Sequence, residues 1–225
     1  MIARFLCSRF ALVWAFFIVL AGGVRLPADS PYTWQSAKIG GGGFVTGVVY
    51  HPTARGLVYA RTDVGGAYRL DPATQQWIAL NDDVGGLNNE FMLQGVLSIA
   101  VDPNDADRLY LACGQYTWDY DWNPSALLAS TNRGATWTRI GLAFKNGGNS
   151  DGRSTGERLQ VDPNDGRILL MGTSTEGLWK SADYGATWSQ VTSFAPTACT
   201  FVLFDKTTGS AGSATQTIFV GVAST

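Results

Sequence analysis

The chain has 225 residues, of which 45% are apolar and 15% charged, and it contains 27 glycines and 8 tryptophans. This composition excludes a disordered chain and is long and apolar enough for a sizeable core. A formal charge of −2 gives no reason to expect nucleic acid or an anionic lipid surface as a partner.

The chain opens on Arg4 and Arg9, followed by the apolar run FALVWAFFIVLA from Phe10 to Ala21 and then by small residues up to Ala28. A positive start, a short apolar run and small residues beyond it read as a secretory signal over residues 1–28, cleaved between Ala21 and Ala28. An uncleaved anchor is the rival, although the run is short for a span of roughly 20 apolar residues. Cleavage makes the mature chain a secreted protein, extracellular or periplasmic, with no membrane attachment. It also removes Arg4, Arg9 and Arg25 and leaves the remainder more acidic. Cys7 goes with the signal, and Cys113 and Cys199 either pair or stay as buried thiols. His51 has no Cys or His at ligand spacing, so neither a metal nor another cofactor is expected.

After the signal, three segments align: GVVYHPTARGLVYART (47–62), SIAVDPNDADRLYLAC (98–113) and ERLQVDPNDGRILLMG (157–172). Each is an apolar run, a proline turn and a second apolar run. Pro52, Pro103 and Pro163 stand 51 and then 60 residues apart, and a degenerate fourth copy starts at Phe201. Short strands repeating every 40–60 residues or so predict an all-β fold, a β-propeller. The second half of a unit carries S-x-[DN]-x-G-x-T-W, at Ser130–Trp137 and at Ser181–Trp188. This is the Asp-box hairpin: Asn132 or Asp183 bonds nearby backbone N–H groups, glycine supplies the unusual dihedral and the tryptophan packs between sheets. A sugar-binding role for the boxes is the alternative to this purely structural one. Residues 29–225 hold three to four units. Propellers close with typically 4 to 8 blades, so they are expected to form a truncated, N-terminal part of one.

Within the first unit, ARTDVGGAYR places Asp63 at a strand end before Gly65 and Gly66. There it is either a turn-maker or a carboxylate aimed into an open channel. Further on, Gly114–Pro124 packs Tyr116, Trp118, Tyr120 and Trp122 among Asp119 and Asp121. Aromatic faces beside carboxylates suit pyranose rings, while blade packing is the alternative. The segment around Phe91–Gly95 is a weaker candidate. Gly147–Gly156 is glycine-rich but lacks the lysine of a phosphate loop, which argues against nucleotide binding.

The stretches Trp34–Gly47, Ala60–Arg69, Gly156–Asp165, Gly177–Trp188 and Val191–Phe194 resemble glycoside hydrolase family 74, the xyloglucanases and their oligoxyloglucan-specific relatives. The resemblance implies two seven-bladed propellers clasping a cleft in which a branched β-1,4-glucan is cut with inversion, this chain being part of the first. It also implies that Asp63 is the general base and that the general acid is an aspartate of the second propeller. Such a pair works with its carboxyl groups about 6.5 to 9.5 Å apart. Arg61, two residues earlier, is expected to set a guanidinium beside Asp63, and Gly65 and Gly66 to leave room for substrate. Gly114–Thr117 resembles the family's cleft lining, which makes Tyr116, Trp118 and Trp122 substrate-binding candidates, whereas the W-D-Y-D-W run and Ser154–Thr155 depart from the family pattern. A non-catalytic Asp-box propeller binding a glycan or protein, or an exo-sialidase, remains as an alternative, since the fold alone does not choose.

Overall fold

A computed structural model describes residues 36–84, 90–120 and 123–223. The candidate signal, Trp34 and Trp122 lie outside the described residues. Three four-stranded antiparallel meanders and one two-stranded sheet follow one another along the chain. The first comprises β1 (Val45–Tyr50), β2 (Val58–Thr62), β3 (Ala67–Leu70) and β4 (Trp77–Ala79). The second comprises β5 (Val96–Asp102), β6 (Asp105–Cys113), β7 (Ala126–Ser130) and β8 (Thr138–Gly141). The third is β9 (Leu159–Val161), β10 (Leu169–Gly172), β11 (Leu178–Ser181) and β12 (Ser189–Gln190), and β13 (Cys199–Phe204) pairs with β14 (Ile218–Val222). Among the described residues the helical elements are short 3-10 turns. The repeated segments fall on the first two strands of successive sheets.

The sheets are held face to face by three apolar layers. Tyr59, Ile99, Leu109 and Leu111 belong to the layer that joins the first two sheets. Leu97, Tyr110, Phe144, Leu159 and Met171 join the second to the third, and Leu170, Leu178, Val202 and Phe204 join the third to β13–β14. This is propeller packing, in which each sheet buries both faces against its neighbours. At the outer faces of the first and last sheets, Val48 and Tyr50 on β1 and Leu203 and Phe219 on β13–β14 are exposed.

The proline turns add a polar staple at each junction. Thr53 Oγ1 donates to the Pro103 carbonyl at 2.9 Å, Asn104 Nδ2 to that of Pro163 at 2.9 Å and Asn164 Nδ2 to that of Lys206 at 2.9 Å. His51 works in the same row. Its Nδ1 accepts from Ala54 N at 2.9 Å, so the other nitrogen is the donor to the Asp102 carbonyl, 3.0 Å away. The lone histidine is thus a turn clamp. Cys113 and Cys199 are buried free thiols, which settles the choice between pairing and burial, and burial raises the pKa of both.

In each Asp box the first serine and the Asn or Asp divide the turn between them. Ser181 Oγ accepts from Gly185 N at 2.9 Å, and Asp183 accepts from Thr187 N at 2.9 Å and from its hydroxyl at 2.6 Å. The Thr187 hydroxyl bond holds the Asp183 carboxyl below the usual carboxylate range. Trp137 Nε1 donates across the junction to the Leu80 carbonyl at 2.7 Å. In an antiparallel meander, the first-to-second and third-to-fourth turns share one end of the sheet. The second-to-third turn and the link to the next sheet share the other. The boxes therefore sit at the end with the proline turns, and Asp63 and the aromatic loop sit together at the opposite end.

Candidate functional site

Asp63 is the first residue after β2. The strand ends in a tight turn in which Thr62 N and Thr62 Oγ1 both donate to the Gly66 carbonyl, at 2.9 Å each, and Gly65 N donates to Thr62 Oγ1 at 2.8 Å. Gly66 has φ +82°, the left-handed region that favours glycine. Asp63 pairs with Phe44 in both directions: its N–H donates to the Phe44 carbonyl at 3.1 Å, and its Oδ1 accepts from Phe44 N at 2.7 Å. The other carboxylate oxygen, Oδ2, lies 3.3 Å from Arg153 Nε. The Asp63 side chain is 10% exposed.

The end of the glycine run before Phe44 packs against this turn. A β-carbon on Gly65 would lie 2.0 Å from the Gly42 carbonyl oxygen, and one on Gly43 would lie 2.8 Å from Asp63 Oδ1. The Gly42 backbone therefore reaches Gly65 where a side chain on Gly65 would hold it off. A β-carbon on Gly66 would meet Asn81 Oδ1 at 2.6 Å and Gln94 Oε1 at 2.7 Å. The expectation that Gly65 and Gly66 leave room for substrate is corrected for the side a β-carbon would take: protein atoms fill it at both positions.

Arg61 also needs correction. It is 1% exposed and points away from the role expected of it. Its Nε meets Glu157 Oε1 at 2.7 Å, and its Nη1 donates to Thr46 Oγ1 at 2.7 Å and to the Arg153 carbonyl at 3.0 Å. Alternation along a strand places Arg61 on the side of Asp63, but the partly buried carboxylate of Glu157 captures its guanidinium. The cation beside Asp63 is Arg153, which the sequence reading passed over. Its only signal is the segment leading into Gly156–Glu157–Arg158, where the sequence shows a glycine-rich loop without a phosphate-loop lysine and a departure from the family pattern at Ser154–Thr155.

The loop carrying Arg153 is clamped from below. Arg61 Nη2 donates to the Gly156 carbonyl at 3.3 Å. Arg158, 2% exposed, donates to the Gly152 carbonyl at 2.7 Å and bonds Ser174 Oγ. Glu157 closes the arrangement by accepting from Ser98 Oγ at 2.7 Å and from Ile99 N at 2.8 Å on β5.

The same loop reaches the aromatic segment. Gly148 N and Asn149 N donate to the carbonyls of Gly114 and Gln115, at 2.6 and 2.7 Å, and Asn149 Nδ2 donates to the Tyr116 hydroxyl at 3.2 Å. Residues 114–120 form a loop without strand pairing, so Tyr116 and Trp118 are brought together by the loop's own path. Their rings stack with centroids 4.2 Å apart and planes 12° apart, and Trp118 is 44% exposed. Buried Asn123 shapes the loop by donating to the carbonyls of Tyr116 at 3.0 Å and Trp118 at 2.6 Å. Gly95 lies between this loop and the main chain of Asp63: a β-carbon there would sit 2.9 Å from both the Asp63 carbonyl and Gln115 Cα. The structure thus brings Asp63, Tyr116 and Trp118 to one rim. Phe91 is exposed, and Gln94 anchors its segment by donating to the Asn81 carbonyl at 2.7 Å.

A xyloglucanase of a Paenibacillus species is 51% identical over 216 residues, covering 88% of this chain and 21% of that protein. A crystal structure of the GH74 xyloglucanase of Xanthomonas campestris superposes with a TM-score of 0.76 at 51% identity, over 85% of this chain and 29% of that one. This chain belongs to the GH74 family. The GH74 enzyme of Niastella koreensis superposes with a TM-score of 0.73 at 43% identity, over 81% of this chain and 27% of its own. The GH74 chain therefore spans between a fifth and a third of the length of these relatives, and its four-stranded sheets are those of a GH74 β-propeller. No family model matches it.

Proposed function

We propose that this chain is part of a secreted xyloglucan hydrolase, that Asp63 is its general base, and that the Tyr116–Trp118 stack holds a sugar unit of the β-1,4-glucan. The observation that carries this reading is a carboxylate fixed at a strand end on the same rim as an exposed aromatic stack. The flat faces offer the C–H surface of a pyranose a place to rest. Asp63 Oδ1 is already bonded to Phe44 N, so Oδ2 is the oxygen left to take a proton from water. The names and structures of the relatives support xyloglucan as the substrate.

Inversion requires a second carboxyl group to protonate the leaving oxygen from the far side of the scissile bond. In this reading it comes from a second propeller of the full-length protein. The 225-residue chain alone then supplies water activation without leaving-group protonation and is inactive. The apolar segment within residues 1–28 directs export and is removed.

Proton NMR of xyloglucan during hydrolysis by the full-length protein tests the reading. The α-anomer of the new reducing end should appear first and then mutarotate. First appearance of the β-anomer, or no release of oligosaccharide from xyloglucan, would sink it.

A further inference from the structure

We infer that Arg153 is the positioning residue for the Asp63 carboxylate, held at its post by the pair of buried Arg61 with Glu157. The inference rests on the reading of Asp63 as the base. A carboxylate bonded through one oxygen can still swing about its last side-chain torsion, which is broad and roughly two-fold. Phe44 N fixes only Oδ1. The second oxygen has Arg153 Nε 3.3 Å away, a charge contact on the side that Phe44 N leaves unheld.

Arg153 Nε is buried and has no hydrogen bond of its own, so its contact with Asp63 is one of charge without an aligned N–H. A small rotation of the carboxylate is enough to turn a 3.3 Å contact into a hydrogen bond. Hydrogen bonds of catalytic groups are often loose before substrate arrives and tighten with it.

What keeps Arg153 in place is its main chain. Its carbonyl accepts from Arg61 Nη1 at 3.0 Å, and Arg61 is tied to Glu157 at 2.7 Å, which in turn accepts from Ser98 and Ile99 on β5. Arg61 therefore acts on Asp63 at one remove. The Arg61–Glu157 ion pair thus adds to the apolar layer between the two sheets a polar tie that also reaches the loop that carries Arg153. A base held within a fraction of an ångström is what the reaction needs, since a 1 Å misplacement can cost about 100-fold.

The experiment compares Arg153→Ala, Arg153→Lys and Asp63→Asn in the full-length protein, with kcat and KM on xyloglucan corrected for the folded fraction by circular dichroism. Arg153→Ala should lower kcat by about 10- to 100-fold while KM stays within about threefold. Arg153→Lys, which keeps the charge but not the fork, should recover part of the loss. An unchanged kcat per folded molecule in Arg153→Ala, with Asp63→Asn inactive, overturns the positioning role and leaves the base intact. So does a loss confined to KM. Activity retained by Asp63→Asn overturns the base itself, and the positioning role with it.

Discussion

Replacing Asp63 by asparagine in the full-length protein should lower kcat on xyloglucan by about 10²–10⁴-fold, the range that a positioned acid or base contributes. The amide is nearly isosteric and its oxygen can still accept from Phe44 N, which now holds Oδ1 at 2.7 Å. The turn from Thr62 to Gly66 is built from the threonine hydroxyl and backbone groups, without the aspartate carboxylate. The substitution therefore leaves the turn in place and removes the capacity to take a proton, together with the charge that faces Arg153. KM should change little, because the Tyr116–Trp118 stack is untouched. Initial rates at saturating and limiting xyloglucan separate the two effects. Near-normal kcat would reduce Asp63 to a turn residue.

Glu157→Ala should produce the largest loss of stability, about 3 kcal/mol, measured as a shift in the denaturant midpoint followed by tryptophan fluorescence. Removing one partner of a buried ion pair typically costs about 3–5 kcal/mol, because the other charge is stranded. The stranded group would be Arg61, whose side chain is 1% exposed. The lower end of the range applies because the Glu157 side chain is 19% exposed and water can reach the vacated space. Ile99 N and Ser98 Oγ lose their acceptor as well. Glu157→Gln, which keeps an acceptor for these donors but not the charge, should fall between the wild type and alanine. A midpoint unchanged by Glu157→Ala would show that Arg61 finds another acceptor and that the pair does not lock the sheets.

Much of the fold is legible because its signals are local. The D-P-N turns, the Asp boxes and the strand between Leu57 and Thr62 are each read from fewer than about ten residues, and a propeller repeats such units in order. Asp63 is legible for the same reason, as a carboxylate between an apolar strand and two glycines. The partners of that carboxylate are not local. Arg61 and Glu157 are 96 residues apart, and the Arg153 carbonyl is 92 residues from Arg61. Strand alternation shows that Arg61 and Asp63 share a side, but it carries no information about which distant charge will claim the guanidinium. The glycines give a second example. Their spacing announces a turn, whereas the carbonyl of Gly42 that fills the space over Gly65 comes from a segment more than twenty positions earlier. Trp118 lies between these cases, since its proximity to Tyr116 is local while its exposure depends on Asn123 and on the loop at Asn149.

The most direct test is a crystal structure of the full-length Asp63→Asn protein with a xyloglucan oligosaccharide. A pyranose ring should lie on the Tyr116–Trp118 stack, with a water between residue 63 and the anomeric carbon of the scissile bond, on the face opposite the leaving oxygen. An oligosaccharide bound at the Asp-box end, or one whose anomeric carbons all lie beyond the reach of a single water from residue 63, would contradict the assignment of Asp63 as the base.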